Sequence, residues 1–240
     1  MEVNKKSKEV KESKESKESK KVKDLKEVKD LKEVKESKKS KKAKTQREIT
    51  DAPISKQSWK PGNMLYPLPA VMVSCAREGE KPNIITVAWT GTICSDPVMA
   101  YISVRPERYS YNIIKETGEF VINLTTEDLA RATDYCGVRS GRDHDKFTEM
   151  GLTAVQASKL EHAPLIAESP VNIECRVREV IPLGSHDMFI ADVVAVNVSE
   201  KYMNETGKFE LNNTGLMVYS HGEYFSLGRS LGKFGFSVKK

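Results

Sequence analysis

The apolar positions beyond residue 70 recur in short runs and alternations, which predict β-strands rather than long helices. Val171–Arg178 alternates apolar and polar side chains, as a half-buried strand does, and the phase slips at 179–181, which predicts a bulge. Met188–Val198 is apolar on both faces, which predicts a central strand. Strands are predicted at Ala70–Cys75, Ile84–Trp89, Val98–Val104, Glu119–Leu124, Val171–Arg178, Met188–Val198, Leu216–Tyr219 and Glu223–Ser226.

A few short helices interrupt these strands. Pro106 is suited to the first turn of a helix, and Gly118 ends it. A cap at 125–126 starts a second helix that runs to about Tyr135, and residues 146–150 form a third. Many strands with short links and few helices predict an antiparallel barrel with inserted helices, not a doubly wound parallel sheet.

The first 50 residues differ sharply in composition from residues 51–240. Residues 1–45 hold 18 of the 39 basic and 10 of the 34 acidic residues, so the remaining chain carries 21 basic and 24 acidic ones. The tail is built of Lys, Glu, Asp, Ser and Val. Its apolar residues recur at every third position, and on a helix such residues would wind around the surface instead of forming one apolar stripe. It is predicted to be disordered or loosely helical. The alternative is a lysine-rich arm for nucleic acid or an anionic surface, which the interleaved acids and the missing aromatics disfavour.

The composition also limits the cellular location that is expected for the protein. No apolar run approaches the roughly 18 residues that cross a bilayer, and the first 30 residues lack the apolar core of a secretory signal. The four cysteines form no CxxC pair and are read as buried thiols. A cytoplasmic protein without membrane attachment is expected.

Several common catalytic motifs are absent from the sequence. There is no GxGxxG, GxxxxGK[ST], GxSxG or HExxH, and the four histidines lie in no metal-ligand spacing. A hydrolase or a metal enzyme is therefore poorly supported.

The segment from 82 to 123 instead suits a flat aromatic ring with a phosphate. Ser103, Arg105, Arg108 and Ser110 cluster before a predicted helix, whose N-terminal N–H groups favour an anion. The alternative is an ordinary helix cap with solvated arginines.

A second part of this segment suits the ring itself. The run from Thr86 to Gly91 contains small residues whose backbone amides can approach the edge of a planar ring. The alternative is that Trp89 is simply a core aromatic.

Taken in order, these motifs resemble the flavin reductase family with the FMN-binding split barrel, close to flavoredoxins. The resemblance rests on NIITVAW from Asn83, on SDP from Ser95 and on CGVRSGRD from Cys136. It continues through GSHDMF from Gly184 and YSHGEY from Tyr219, and it covers roughly residues 58–238. It implies a Greek-key split barrel that is homodimeric and holds noncovalent FMN.

The resemblance also implies roles for individual residues. Residues expected to line the flavin ring are Thr86, Ala88, Trp89 and Thr90, with Asn83 at the edge of the site. Residues expected to hold the phosphate are Ser103, Arg105 and Ser110, with Lys146 approaching it.

His186 and Cys94 are the candidates for the face of the ring. His186 is expected to be the catalytic residue, as a proton donor or an orienting group, against the alternative of a histidine that bonds only its own turn. Cys94 is expected to be structural.

Three functions remain open. The first is an oxidoreductase that takes electrons from NAD(P)H through FMN to free flavin, ferric iron or a protein. The second is a flavoredoxin-type carrier reduced by a partner protein. The third is a non-catalytic binding module dominated by the tail.

Overall fold

The computed structural model describes residues 55–238. Its strands and helices all lie in one compact unit that begins at Gly62. The tail predicted over residues 1–50 lies outside the described residues.

The strands are β1 Leu68–Pro69, β2 Val71–Cys75, β3 Asn83–Val87, β4 Thr90–Ser95, β5 Val98–Val104, β6 Glu119–Asn123, β7 Ala154–Val155, β8 Leu165–Ile166, β9 Val171–Pro182, β10 Asp187–Val198, β11 Met217–Ser220 and β12 Glu223–Ser226. The α-helices are α1 Tyr109–Thr117, α2 Ala130–Val138 and α3 Lys146–Met150, and 3-10 turns occur at Glu127–Leu129, Glu200–Tyr202, Leu211–Asn213 and Phe236–Val238.

Seven strands form one antiparallel sheet in the order β3-β2-β6-β9-β10-β5-β4. A three-stranded sheet β1-β11-β12 and the short pair β7-β8 lie beside it. The mainly β, antiparallel architecture with inserted helices is as predicted, and β10 lies inside the sheet, between β9 and β5.

The sheet is closed by a very short connection between its two edges. β3 and β4 are the opposite edge strands, yet only Ala88 and Trp89 separate them in the chain. Three Cα–Cα steps span at most about 11 Å, so the sheet must curl until the end of β3 and the start of β4 come together. The Ser103 N–H donates to the Trp89 carbonyl at 2.8 Å and holds this corner together. We call Ala88–Trp89 the closure link.

The core explains why β2 is buried along its whole length. Val71 and Val73 on one face pack in a cluster with Phe120 and Ile114, which brings α1 against the inside of the sheet. Met72, on the other face, packs with residues of α2 and α3. Three of the cysteines are buried, as predicted, and Cys94 is half-buried. None of the helices among residues 55–238 is long and apolar enough to cross a membrane.

The structure corrects several predicted boundaries. Residues 90–95 form a strand that was not predicted, and it pairs with β5 as a hairpin. The first helix begins at Tyr109, and the second is preceded by a 3-10 turn and runs past Gly137 to Val138. The bulge predicted at 179–181 is at Arg178, which has no partner between the pairs Ile190–Glu179 and Ala191–Val177.

A buried glutamate fastens the long connection between β7 and β8 to the sheet. The Glu174 carboxylate is fully buried and accepts hydrogen bonds from the Ser158 N–H, the Ser158 hydroxyl, the Lys159 N–H and the Asn197 side chain, at 2.7 to 2.8 Å. Burial alone would raise the pKa of Glu174, but these bonds to the charged form together lower it.

This anchor makes a testable contribution to stability. Glu174→Gln replaces a charged acceptor by an amide whose NH₂ faces N–H donors, so we expect the free energy of unfolding to fall by about 2 kcal/mol. Urea unfolding at pH 7 measures the loss, and Glu78→Gln at an exposed position is the control.

The pH dependence follows from the direction of the pKa shift. Because the folded-state pKa is lowered, the stabilisation is complete above the unfolded pKa of about 4.3 and is lost as the pH falls below it. The difference between wild type and Glu174→Gln should therefore shrink on acidification. A difference that grows at low pH would contradict this assignment.

Candidate functional site

A long cleft runs past the closure link and consists of three adjoining compartments. Their volumes are about 360, 450 and 470 Å³. The first and second share Ile85, Arg105 and Arg108, and the second and third share Trp89 and His186 among others. We call them the cationic, middle and apolar compartments.

The cationic compartment is named for its charge. Its basic lining residues are Arg105, Arg108, Arg139, Arg142 and Lys146, against a single acid, Glu107. Arg105 lies 3.2 Å from that carboxylate, and the Arg142 guanidinium lies over the Tyr109 ring. A compartment of this composition attracts an anion, and guanidinium groups match the oxygens of a phosphate.

The N-terminus of α1 opens into the same compartment. Arg108 is its N-cap, no side chain caps it, and its first turn contains no acid, so its first N–H groups remain available. Ser110, in that first turn, is buried and accepts a hydrogen bond from the Asn83 amide at 2.7 Å. The helix end and the arginines therefore favour the same negatively charged group.

Gly141 allows the loop from α2 to approach closely. A Cβ at this position would lie 2.1 Å from Asn83 Oδ1 and 2.8 Å from Tyr109 Cδ1. Any side chain here would displace Asn83 from Ser110. The glycine is therefore required by space, and it shapes the wall of the compartment.

Lys146 lies at the inner wall, with its ammonium turned towards backbone carbonyls. It is buried, and its Nζ donates to Ile84 O at 2.6 Å and to Cys136 O at 2.9 Å. Burial lowers the pKa of Lys146. Two of its three donors are thus used within the protein, so it braces α2 and α3 against β3 as well as lining the compartment.

The middle compartment is built from the end of β3 and the closure link. Thr86, Ala88 and Trp89 line it, together with Ser103 and Arg105 from the end of β5. The Thr86 hydroxyl donates to the Thr133 carbonyl, which ties β3 to α2. A Cβ on Gly137 would lie 3.2 Å from Thr86 Cβ, so this glycine lets α2 pack closely.

His186 lies at the boundary between the middle and apolar compartments. Its Nδ1 is 2.9 Å from the Ser185 hydroxyl. Burial lowers the pKa of His186, and Arg105 and Arg108 lower it further, with Glu107 opposing them. The neutral imidazole is therefore the main form at pH 7.

Asp187, the residue after His186, is held in place by α1 and so fixes the position of the histidine. The Tyr111 hydroxyl donates to Asp187 Oδ2 at 2.6 Å, and its ring meets Phe189 edge-on, with the ring centroids 5.4 Å apart. Tyr111 follows Ser110 in α1, so one helix organises both the cationic compartment and the histidine.

The apolar compartment forms the other end of the cleft. Trp89 and Tyr101 supply aromatic rings, and Met64, Leu65 and Leu183 supply aliphatic side chains. A Cβ on Gly91 would lie 3.0 Å from Tyr101 Cε1, so the Tyr101 ring lies closely against the backbone of the hairpin.

Two residues from the sequence analysis are placed outside the cleft lining. The Thr90 hydroxyl donates to the Tyr101 carbonyl at 2.7 Å, so it stabilises the β4–β5 hairpin and lines none of the three compartments. The Cys94 thiol donates to the Asp96 carbonyl at 3.3 Å, away from the three compartments. The other candidates, Asn83, Thr86, Ala88, Trp89, Ser103, Arg105, Ser110, Lys146 and His186, all line the cleft.

Several lining residues were not predicted. Arg139, Gly141 and Arg142 belong to the polar loop after α2, and two arginines around a glycine were the available signal. Tyr101 and Leu183 gave no signal, because an apolar side chain in a strand or turn is equally expected in a core.

The sequence matches the flavin reductase like domain family over residues 64–228, more than half of the chain. It belongs to this family. An uncharacterised protein of Archaeoglobus fulgidus is 30% identical over 166 residues, which cover 69% of this chain and 91% of that protein. The solved flavoredoxin of Desulfovibrio vulgaris is 31% identical, with a TM-score of 0.71, and the match covers 77% of this chain and all of that one.

A further relative of this flavin reductase-like chain has a named activity. The NADPH-flavin oxidoreductase of Streptomyces viridifaciens is 25% identical over 126 residues, which cover 52% of this chain and 63% of that protein. The flavin reductase-like chain is accordingly a member of an oxidoreductase family, and its sheet is the split barrel of that family.

The electrostatics of His186 can be tested directly. In Arg105→Gln we expect the pKa of His186 to rise towards the ordinary value of about 6.5, because one neighbouring positive charge is gone while burial remains. An NMR titration of the imidazole in the protein without added ligand measures it. Arg178→Gln, which removes a cation paired with Asp192 outside the cleft, is the control. An unchanged pKa in Arg105→Gln would contradict the assignment.

Proposed function

We propose that this chain binds FMN noncovalently and is an oxidoreductase that passes electrons from NADH or NADPH to a second acceptor. The observation that carries the proposal is the order of the compartments along one cleft. Cations and a helix N-terminus stand at one end, and the adjoining middle compartment is lined by small residues and the aromatic Trp89. FMN presents a phosphate at one end and a planar ring at the other, joined by a ribityl chain.

The donor set of the cationic compartment fits the phosphate of FMN. Arg105 and Arg108 would bind its oxygens, with the Ser110 hydroxyl and the first N–H groups of α1 as further donors. The Asn83 amide holds Ser110 in place, and Gly141 keeps the wall open.

The middle compartment fits the ring. Thr86, Ala88 and Trp89 would border it, and His186 would stand at its far side. FMN, when bound, supplies the two-electron chemistry of hydride acceptance and release. The neutral His186 holds an N–H that can donate a hydrogen bond or a proton at that boundary.

The likeness to flavoredoxin favours a second candidate function. Such a carrier would bind FMN in the same cleft but would receive electrons from a partner protein instead of NAD(P)H. In either case the terminal acceptor would be a small molecule or a protein.

A homodimer is part of the proposal, on the family resemblance. Exposed apolar side chains on the terminal strands and beyond, among them Phe225, Leu227 and Leu231, are the kind of surface that a subunit interface covers. Sedimentation equilibrium would then give a mass twice the 26.9 kDa of the chain.

The phosphate site predicts a selective loss of FMN affinity. Gly141→Ala should weaken FMN binding at least tenfold, because the new Cβ displaces Asn83 and Tyr109. The affinity for riboflavin, which lacks the phosphate, should fall much less. Fluorescence titration measures both, and Gly228→Ala, where a Cβ meets nothing within 4 Å, is the matched control. Equal losses for FMN and riboflavin would place the phosphate elsewhere.

Anaerobic mixing tests the electron donor. We expect NADH or NADPH to bleach the visible absorbance of the FMN-loaded protein within seconds. Photoreduction of the same sample shows that the bound flavin is competent. Bleaching by light but by neither nicotinamide would favour the carrier, and a protein that takes up no FMN would overturn both candidates.

A further inference from the structure

We propose that the apolar compartment is the acceptor site and that it takes an uncharged, planar quinone. This inference rests on the proposed function, because it uses FMN in the middle compartment as the electron source. It assigns the class of acceptor, which the function alone leaves open.

The first argument is continuity with the ring site. The apolar and middle compartments share Asn63, Ala88, Trp89, Ser103, Ser185 and His186. A molecule in the apolar compartment would therefore border a ring held against Trp89, with no wall of protein between them. Electron or hydride transfer needs this kind of direct approach.

The second argument is charge. None of the described residues that line the apolar compartment is Asp, Glu, Lys or Arg, whereas the cationic compartment carries five basic ones. An anionic acceptor, such as a ferric chelate or a nucleotide phosphate, would lose hydration there without meeting an opposite charge. The basic side chains of the described cleft line the two compartments that suit FMN, and all five of them line the one that suits its phosphate.

The third argument is the composition of the walls. The Trp89 and Tyr101 rings and the side chains of Met64, Leu65 and Leu183 offer apolar contact to a flat molecule. Tyr101 and Ser103 add hydroxyl groups and His186 an imidazole, which can donate to carbonyl oxygens. A mostly apolar cavity with a few convergent donors is the usual form of a small-molecule site.

A quinone satisfies these requirements and gives a balanced reaction. FMN bound in its reduced form would supply two electrons and two protons. The quinone gains them as two new O–H bonds and becomes a hydroquinone. NAD(P)H, the donor of the proposed function, would restore reduced FMN; in the test below a sacrificial amine such as EDTA, oxidised under light, supplies the two electrons instead.

Charge reversal at Leu183 tests the site. Leu183 lines the apolar compartment and neither of the others, and it is 59% exposed on a turn, so a charged residue there is compatible with folding. FMN-loaded protein is photoreduced without oxygen and mixed in a stopped-flow instrument with a neutral naphthoquinone or its sulfonated counterpart. Rates are compared after correction for the two reduction potentials.

With the wild type we expect the neutral quinone to react at least tenfold faster than the sulfonate. Leu183→Arg should raise the rate with the sulfonate several-fold, and Leu183→Glu should lower it, while FMN affinity stays within twofold. Leu211→Glu and Leu211→Arg, at an exposed leucine in a 3-10 turn outside the cleft lining, are the matched controls and should change neither rate.

Equal rates for the two quinones with the wild type, or Leu183 variants that behave like the Leu211 variants, would overturn the acceptor site. Those results require bound, photoreduced FMN, so they are distinct from failure of the proposed function. A protein without FMN, or one that only light reduces, is recognised before any quinone is added.

Discussion

The fold and the cleft both depend on the shortness of the closure link. Two residues, Ala88 and Trp89, join the strands at opposite edges of a seven-stranded sheet. This covalent constraint curls the sheet, and the hydrogen bond from the Ser103 N–H to the Trp89 carbonyl fixes the corner where it closes. The cleft lies at that corner, since the residues that close the sheet also line the middle compartment.

Helix α1 is the second organising element. Its N-terminus opens into the cationic compartment, its buried face packs Ile113 and Ile114 into the barrel core, and Tyr111 holds Asp187 beside His186. Packing of a single helix therefore sets the distance between the anion end of the cleft and the histidine. The two ends of the cleft are connected by rigid secondary structure, which is how a scaffold keeps a bound molecule in one orientation.

Local pattern was enough to predict the class of fold and most strands, because alternation and short apolar runs survive in β2, β9 and β10. It was not enough for β4, whose residues Thr90–Ser95 are largely exposed and polar, so that tertiary pairing with β5 decides the conformation. The hydrogen bond of the Thr90 hydroxyl lies within the same unpredicted hairpin, so the local pattern gave no sign of it.

The cluster of basic and hydroxyl residues around Arg105 could be recognised in the sequence because its members lie close together in the chain, just before a helix. The apolar compartment was not, because it combines side chains from positions 62–68, 88–103 and 183–186. Only three-dimensional closure brings such distant positions together.

The closure link also bears on how this chain tolerates rearrangement. New termini at the turn between β11 and β12 would leave every residue of the cleft on one continuous scaffold. A break between Ala88 and Trp89 would allow the same strands to pair in the same order, yet it would free the two sheet edges from each other. The barrel would open at that corner, and the cleft would be lost although every strand would still be present.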